Sequence, residues 1–449
     1  ERETTRLREE GSPILTMPTP LLIIAALCSF GNAKDWTTNS SLRTMAEQRK
    51  RVPMKMYEVN LDLPPSQRWD HVAKDFKQYV PAATEYLYSF IPKWALPLFE
   101  EVAKDVEPYF GDEYGGEMRG LSQALGMKLG DIVVMNLVYQ VESLGLNCSN
   151  WNNTGPTQKD DPGCMAVDRD QKWCYCRENA EHIRSIDGWL RVGDTPSFKS
   201  AFFGTSQGPK GLCTSIVAKD LQGNIFHGRN LDWNLPEAVL NLAIDVNFTK
   251  STGDGNQRSS FLGSTLVGFV GVLHGMRTGR YSVSLDARGK GGRPIPNIME
   301  ALLKHGHTPS QHIRSTLSSG DHSFERAVTD LATGPLINEA YFIVGGVGGE
   351  EGAVIARNRA GAQDIWRLNA STFYRVETNY DHWNPVPVSD DRRTPAVKGM
   401  EAIGREGVGV EGLLEVLQQW PVYNHHTDYT GVFAAWNGTY QSWTWRLAA

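Results

Sequence analysis

The chain has 449 residues, of which 40% are hydrophobic and 21% charged, a globular composition that allows one large or two medium domains. The net charge of −6 and the pI of about 6.0 provide no basic field, so we expect no nucleic-acid partner. The six cysteines are not spaced as a disulfide framework or a zinc site, and we expect no metal and no cofactor.

The first 33 residues indicate a secreted precursor. Residues 1–16 are rich in Arg and Glu and are interpreted as upstream read-through, because an apolar run follows Met17 and ends at Gly31 and Ala33. Residues 17–33 therefore predict a signal peptide, too short to span a membrane, and no later run approaches the roughly 18 apolar residues of an anchor. Six N-x-S/T triplets support passage through the secretory pathway. They begin at Asn39, Asn147, Asn152, Asn247, Asn369 and Asn437.

Residues 34–140 predict a mainly helical part of the chain. One strand is expected at 54–61, and apolar residues then recur at three- and four-residue steps between 67 and 110. The aromatic and aliphatic residues crowded between 86 and 99 have two interpretations. They form either a face buried between helices or an exposed patch for a membrane or a lipid substrate.

Three further segments complete the N-terminal part. Residues 115–121 predict a turn that leads into a short helix at 121–126, and residues 131–140 predict an apolar helix. Residues 141–212 are rich in Asn, Asp, Gly and Cys and have little periodicity. A stretch of this length without elements is unusual inside a compact domain.

From residue 213 onward strands dominate, and the whole pattern predicts an α+β protein with a large sheet. Alternating or continuous apolar runs predict strands at 240–248, 260–265, 281–285, 340–344, 353–357 and 374–377. Helical periodicity predicts helices at 297–304, 311–317, 323–331 and 410–418.

The stretch from Cys213 to Asp232 predicts a β-hairpin, since two apolar, β-branched runs flank a short polar segment. With Gln222 and Gly223 as a two-residue loop, Cys213 lies directly opposite Asp232, and Arg229 lies one diagonal step away. A slip of one residue would exchange the two faces of the hairpin.

This end of the hairpin collects a thiol, a carboxylate and a guanidinium. A nearby cation stabilises a thiolate nucleophile, so Arg229 would activate Cys213 while Asp232 orients a base. The alternative is that Cys213 is a small buried hydrophobic residue and that Arg229 and Asp232 form an ordinary ion pair. Spacing alone leaves both interpretations open.

Six motifs follow one another in a fixed order along the chain. They are Gly116-Glu-Met-Arg-Gly120, Cys213-Thr-Ser-Ile-Val-Ala218, His227-Gly-Arg-Asn-Leu-Asp232, Phe269-Val-Gly271, Val376-Glu-Thr-Asn-Tyr-Asp-His-Trp383 and Asp390-Asp-Arg-Arg-Thr394. Together they resemble the acid ceramidase family, over roughly residues 52–140 and 211–449. Within that family, the direct run from Asp232 to Leu242 and a C-terminus without Cys favour the branch that acts on N-acylethanolamines over the ceramidases.

The resemblance implies an N-terminal nucleophile hydrolase, with an αββα sandwich in the C-terminal part. Such a precursor cuts its own chain before the nucleophile, here between Leu212 and Cys213. The products would be a mainly helical α chain of residues 34–212, whose segment 141–212 is atypical, and a catalytic β chain of residues 213–449. The two chains would stay associated as a heterodimer, and the freed α-amino group would serve as the base for its own thiol.

The resemblance also implies roles for the other site residues. Arg229 and Asp232 flank the nucleophile, with Asp232 near the α-amine. Asn379 stabilises the oxyanion, an effect worth roughly 3–4 kcal/mol for one donor, and Arg392 joins the same polar network. From the residues alone, Asn379 equally suits a turn, and Arg392 equally suits a local ion pair with Asp390.

The implied activity is hydrolysis of fatty-acid amides such as N-acylethanolamines to fatty acid and ethanolamine, through a Cys213 thioester. The implied setting is the lysosome, at a membrane or lipid-micelle surface. Two alternatives are hydrolysis of ceramide and a catalytically impaired lipid-binding homologue. The second follows from two departures: Ala287 stands where the family has a glutamate, for which Asp286 is a candidate substitute, and residues 159–210 form a foreign-looking linker before Cys213.

Overall fold

The computed structural model of this chain describes residues 40–89, 107–143, 164–167, 174–176, 212–251, 257–288, 306–319, 323–387 and 390–447. The expected upstream segment, signal peptide and helix at 297–304 lie outside these residues, as does most of the segment 141–212. The proposed domain boundaries therefore stay predictions.

Helices cluster in the N-terminal part and strands in the C-terminal part of the described chain. The helices are α1 (Ser40–Glu47), α2 (Asp70–Phe76), α3 (Val80–Ser89), α4 (Gly111–Leu125), α5 (Leu129–Ser143), α6 (Glu237–Leu240), α7 (Pro309–Ser318), α8 (Phe324–Ala332), α9 (Arg393–Ile403) and α10 (Val410–Leu417). The strands are β1 (Arg49–Pro53), β2 (Met56–Asn60), β3 (Cys164–Val167), β4 (Cys174–Cys176), β5 (Leu212–Lys219), β6 (Ile225–Asp232), β7 (Ala243–Ser251), β8 (Gln257–Leu266), β9 (His274–Arg277), β10 (Tyr281–Ala287), β11 (Ala340–Gly345), β12 (Gly352–Arg357), β13 (Ala362–Arg367), β14 (Tyr374–Glu377), β15 (Thr427–Ala434) and β16 (Thr439–Leu447).

Two large sheets organise the described residues. Sheet 1 has the strand order β1-β16-β15-β6-β5-β14, and sheet 2 has the order β13-β12-β11-β10-β9-β8-β7-β2. Neighbouring strands are antiparallel except β2 and β7, which are parallel. The N-terminal part is therefore not purely helical, because it contributes an edge strand to each sheet.

The two sheets face each other, and helices cover their outer faces. Ile216 and Val432 on the outer face of sheet 1 share an apolar cluster with Met400 of α9 and Leu417 of α10. The outer face of sheet 2 packs in the same way on α7 and α8, through residues such as Phe342, Ile313 and Leu331. Between the sheets, Val217 and Ile225 meet Tyr341 and Ile343. The predicted α+β class with an αββα sandwich is confirmed.

The hairpin of β5 and β6 is confirmed, but its predicted register is wrong by one residue. Cys213 lies opposite Leu231, and Leu212 lies opposite Asp232. The turn is one residue longer than predicted, since Asp220 and Asn224 pair across it and Gly223 adopts a left-handed φ of 86°. This is the geometry of a three-residue loop closed by glycine. Cys213 and the Asp232 side chain consequently point to opposite faces of sheet 1.

The predicted turn at 115–121 is also wrong, because α4 runs without interruption from Gly111 to Leu125. The glycines serve close packing there. A Cβ at Gly120 would collide with the backbone oxygen of Ser66, and one at Gly116 would lie 2.7 Å from Cβ of Pro65. Glycine in this helix therefore marks the approach of another backbone and does not mark a break.

Candidate active site

Cys213 lies at the start of β5, with its side chain between the two sheets and fully buried. Arg229 is on the neighbouring strand, one diagonal step away, and its Nη2 donates a hydrogen bond to Sγ of Cys213 at 3.2 Å. A guanidinium in direct contact with sulfur stabilises the thiolate over the thiol. The predicted proximity of these two residues is confirmed, although the register that suggested it was wrong.

Arg229 is held in place from its other side. Its Nη1 donates to the carbonyl of Leu273 at 3.0 Å and to the hydroxyl of Tyr429 at 3.4 Å. The Tyr429 hydroxyl in turn contacts Nδ1 of His274 at 3.2 Å. Burial and the nearby Arg229 hold the pKa of His274 well below its usual value, so the ring is neutral. The guanidinium therefore has fixed acceptors on Nη1, and Nη2 is aimed at the sulfur.

Asn379 and Arg392 hold the backbone of residue 213. The amide N–H of Cys213 donates to Oδ1 of Asn379 at 2.7 Å, and Nη2 of Arg392 donates to the same oxygen at 2.7 Å. Nη1 of Arg392 donates to the carbonyl of Cys213. Nδ2 of Asn379 donates to the carbonyl of Ala287 at 2.8 Å. Both polar backbone groups of residue 213 are thus bound by side chains that come from distant segments.

Asp232 lies on the outer face of sheet 1 and reaches this network through Arg392. Its carboxylate accepts hydrogen bonds from Thr427 at 2.7 Å and from Asn424 at 3.0 Å, and Nη1 of Arg392 is 3.4 Å away. Burial raises the pKa of Asp232 to about 6, and Arg392 opposes that shift. Asp390 binds the other edge of the Arg392 guanidinium at 2.7 and 2.9 Å.

The structure thus brings all five residues singled out from the sequence into one connected cluster. Arg229 contacts the sulfur of Cys213, whereas Asn379 and Arg392 contact its backbone. Asp232 joins through Arg392, and not by facing Cys213 across the hairpin. The catalytic roles assigned to these residues stay predictions.

Sequence reasoning left several members of the cluster out of the site. Asp286 was considered only as a substitute for a missing glutamate, and Asn424 and Thr427 were not considered. The signal for Asp286 is present in β10, where polar Ser282, Ser284 and Asp286 alternate with apolar residues. Such alternation in a strand that is buried on both faces indicates a polar layer between the sheets.

An apolar cavity lies next to the strand end that carries Asp232. Trp233, the residue after Asp232, lines it, and its backbone N–H is fixed by Asp428 at 2.8 Å. Helices α3 and α5 supply the opposite wall. Lining residues include Tyr86, Leu87, Met135, Trp233, Leu266 and Phe269. The part of the predicted apolar patch beyond residue 89 lies outside the described residues.

The described residues contain neither a metal-binding cluster nor a membrane-spanning helix. In the ranges that the structure covers, no group of three His, Cys, Asp or Glu side chains is arranged to hold a metal ion. Among the described helices, none combines the length and apolar character needed to cross a bilayer.

Comparisons with known proteins identify relatives of the chain. A family model described as the beta subunit of N-acylethanolamine-hydrolyzing acid amidase matches residues 52–110. N-acylethanolamine-hydrolyzing acid amidase of Mus musculus is 35% identical over 387 residues, which cover 85% of this chain and 85% of the relative. Acid ceramidase of Pan troglodytes is 25% identical over 447 residues, covering 94% and 95%. A solved Caenorhabditis elegans ortholog of the amidase is 36% identical, with a TM-score of 0.44, and covers 50% of this chain and 93% of the solved chain.

Proposed function

The chain belongs to the N-acylethanolamine-hydrolyzing acid amidase family, and on that premise we propose that it hydrolyses fatty-acid amides with Cys213 as the nucleophile. The proposed substrates are N-acylethanolamines, such as N-palmitoylethanolamine, and the products are the fatty acid and ethanolamine. The observation that carries the proposal is the contact between Nη2 of Arg229 and Sγ of Cys213 at 3.2 Å. A buried structural cysteine has no need of a buried arginine aimed at its sulfur.

The first step is self-cleavage between Leu212 and Cys213. The thiol of Cys213 adds to the carbonyl carbon of Leu212, its proton passes to the amide nitrogen, and the C–N bond breaks to give a thioester and the new α-amine. Water then hydrolyses the thioester to a carboxylate at Leu212 and restores the thiol. Oδ1 of Asn379 already accepts from this nitrogen at 2.7 Å, so it supports a place for the amine beside the sulfur.

The two products would stay together because the N-terminal part is built into the C-terminal fold. Strands β1 and β2 pair with β16 and β7. In addition, Glu117 of α4 forms a buried ion pair with Arg314 of α7 at 2.6 Å, and Arg68 binds the same carboxylate at 2.8 Å. Separation of the two parts would leave the buried Arg314 without its carboxylate, at a cost of several kcal/mol.

Catalysis then uses the new chain end. The α-amine takes the proton of the thiol, and the thiolate attacks the carbonyl carbon of the amide. The amine returns the proton to the departing ethanolamine nitrogen, and water hydrolyses the acyl thioester. Arg229 stabilises charge on sulfur. Nδ2 of Asn379 now donates to the carbonyl of Ala287 at 2.8 Å. For the proposed oxyanion role, it must leave that carbonyl and donate to the substrate oxygen.

The apolar cavity beside Trp233 encloses about 30 Å³, which is smaller than an acyl chain, so it supports an apolar wall for the acyl half of the substrate and not a formed site for the whole chain. A long acyl chain needs a largely apolar site, and polar groups at one end fix the amide. Association with a membrane or lipid micelle and residence in the lysosome are parts of this proposal. The apolar segment 17–33 and the six N-x-S/T triplets support entry into the secretory pathway.

A ceramide is the second candidate substrate, because acid ceramidase of Pan troglodytes is also a relative over 94% of the chain. Release of fatty acid from N-palmitoylethanolamine and from a short-chain ceramide, compared at equal acidic pH, distinguishes the two. We expect the larger kcat/KM for the ethanolamide. A larger value for ceramide would reassign the substrate and leave the Cys213 chemistry intact.

Self-cleavage is tested by incubating the purified precursor at acidic pH and sequencing the N-termini of the bands. We expect two bands, one starting at Cys213, for the wild type and for the control Cys148→Ala, but one band and no hydrolysis for Cys213→Ala. Active wild-type protein with Leu212 still attached to Cys213 would refute the proposal. Binding of acylamide without turnover would favour the impaired lipid-binding homologue.

A further inference from the structure

Asp286 lies directly behind the guanidinium that contacts the Cys213 sulfur. Its Oδ1 is 3.9 Å from Nη2 of Arg229, the same nitrogen that donates to Sγ at 3.2 Å. All three side chains are fully buried. Nη2 of Arg229 thus lies within 4 Å of both a sulfur and a carboxylate, two groups that compete for one positive charge.

Asp286 is fixed in this position by the nucleophile strand itself. Ser215 lies two residues after Cys213 on the same face of β5, directly opposite Arg229. Its hydroxyl donates to Oδ1 of Asp286 at 2.8 Å. The second oxygen, Oδ2, is buried and has no hydrogen-bond partner among the described residues. One oxygen is therefore held by the nucleophile strand, and the other receives no hydrogen bond from the described part of the chain that would stabilise the ionised form.

The charged groups around Asp286 come from every neighbouring strand. Arg229 is the cation in direct reach, and Arg392 contributes over a longer distance. Asp232 and Glu377 are carboxylates in the same electrostatic environment. Tyr341, opposite Asp286 on β11, donates its hydroxyl to Asp381 at 2.7 Å. On the same strand, two residues before Asp286, Ser284 contacts Nε2 of His227 at 2.9 Å.

This environment allows Asp286 to change its charge close to neutral pH. Burial raises the pKa of Asp286 to about 7, while Arg229 and the hydrogen bond from Ser215 oppose the shift. At acidic pH the carboxyl is neutral, and the Arg229 charge acts on the sulfur alone. Above neutral pH the carboxylate shares that charge.

We propose that Asp286 is a positioning residue that regulates, by its own protonation, how strongly Arg229 stabilises the Cys213 thiolate. This inference rests on the proposed function, since it assumes that the Cys213 thiolate is the nucleophile. The neutral acid leaves the site active, and the carboxylate weakens it. The fold would thus favour acidic conditions through a residue that does not touch the substrate.

The test is Asp286→Asn, which keeps the shape of the side chain and is neutral at every pH. Two quantities are measured against pH: kcat/KM for N-palmitoylethanolamine, and the ultraviolet absorbance of the thiolate relative to the same protein carrying Cys213→Ala. In the wild type, we expect kcat/KM to fall as the pH rises through about 7, because Asp286 ionises. In Asp286→Asn that fall is lost, and the midpoint of thiolate formation moves to lower pH by about one unit, a tenfold change in ionisation.

Asp245→Asn is the matched control. Asp245 is also a buried aspartate between the sheets, burial raises its pKa to about 6, and it accepts a hydrogen bond from a serine, Ser264. It has no contact with Arg229 or Cys213 among the described hydrogen bonds and ion pairs. We expect Asp245→Asn to leave the thiolate midpoint and the shape of the pH profile as in the wild type.

A second variant keeps the inference testable if Asp286→Asn does not fold. Ser215→Ala removes a hydrogen bond that favours the carboxylate, so the fall in kcat/KM should move to higher pH. The inference would be overturned if both variants kept the thiolate midpoint and the pH profile of kcat/KM of the wild type. It would also be overturned if they lost kcat equally at every pH, which would leave Asp286 with a structural role. If the wild type hydrolyses no amide, the proposed function fails, while the thiolate absorbance still tests the link between Asp286 and Cys213.

Discussion

The two faces of the β5–β6 hairpin are equally buried but differ in chemistry. The inner face places Cys213, Ser215 and Arg229 against the polar residues of β10 in sheet 2. The outer face places Ile216 and Gly228 against the apolar side of α10. Depth of burial therefore does not distinguish the reactive face from the supporting one. What distinguishes them is the partner layer, polar strands on one side and an apolar helix on the other.

This difference explains how a charged site is kept between two sheets. Buried polar groups are stable only when their neighbours satisfy them, and here sheet 2 supplies serines and a carboxylate to the polar residues of the hairpin. The outer face contributes the apolar burial that holds the hairpin in place. Substitutions of Cys213, Ser215 or Arg229 on the inner face should therefore change chemistry, and substitutions in the apolar contact between the outer face and α10 should change stability.

The largest expected effect is on the inner face, from Arg229→Met. It removes the donor to the sulfur and leaves Asp286 without its cation, so kcat/KM should fall by about 10²- to 10³-fold, as for the loss of one charge-stabilising donor. Arg357→Met is the control, since Arg357 is an equally buried arginine that binds the carbonyls of Thr333 and Gly334. Measured per folded molecule, the control should keep kcat/KM within a few-fold. Equal losses in both variants would contradict the assignment of Arg229 to the sulfur.

The next effect is on the outer face, from Leu417→Ala. Leu417 is fully buried in the cluster between sheet 1 and α10, and its truncation should lower the free energy of unfolding by about 2–4 kcal/mol. Leu221→Ala, in the turn of the same hairpin, is the control, because Leu221 is 59% exposed; its effect should stay within about 0.5 kcal/mol. Chemical denaturation measures both. A large loss of kcat per folded Leu417→Ala molecule would show that the two faces are coupled.

The pH dependence of stability sharpens the comparison, because buried carboxyls and buried histidines act in opposite directions. Burial raises the pKa of Asp286 to about 7 and of Glu377 to about 8, so the stability that these neutral carboxyls contribute is complete below about pH 4 and is lost as the pH rises from there to 7–8. Burial lowers the pKa of His227 to about 3 and of His312 to about 4. The stability that these neutral histidines contribute is therefore complete above pH 6.5 and is lost as the pH falls below that value.

Thermal unfolding should therefore show maximal stability between about pH 4 and 6.5, with a loss of roughly 2 kcal/mol from pH 6.5 to 8. Asp286→Asn should reduce the decline on the neutral side. A melting temperature that rises steadily up to pH 8 would show that the carboxyls are ionised at neutral pH, and would weaken the inference about Asp286 as well.

Much of the fold was predictable because local periodicity determines it. The strand at Tyr374–Glu377 has its predicted bounds, and α7, α8 and α10 lie where helical periodicity placed them. Helix α9 and the last two strands were missed. The turn predicted at 115–121 was wrong because the glycines of α4 serve close packing against Pro65 and Ser66, a tertiary contact that local sequence does not reveal.

The site was predictable in its members but not in its geometry. The motifs contained Cys213, Arg229 and Asp232, but one extra residue in the turn at Gly223 reversed the face of Asp232. Register depends on the length of the turn, and glycine-containing loops of different lengths suit this stretch of sequence equally well. Asp286 comes from the opposite sheet, and contact between sheets depends on packing that no local pattern encodes.

The smallest effect is expected from Gly228→Ala, on the outer face next to the backbone of Arg229. An added Cβ would lie 2.9 Å from Cδ1 of Leu417 and 3.1 Å from Cδ2 of Leu413. Both atoms end flexible side chains, so the unfolding free energy should fall by only about 1 kcal/mol. Adding Leu417→Ala removes the closer of these two contacts. In a double-mutant cycle, the double variant should therefore be more stable than the sum of the two single effects predicts. Strict additivity, or a change in kcat in the single variant, would mean that the methyl group shifts β6 itself, and that the apolar face also positions Arg229.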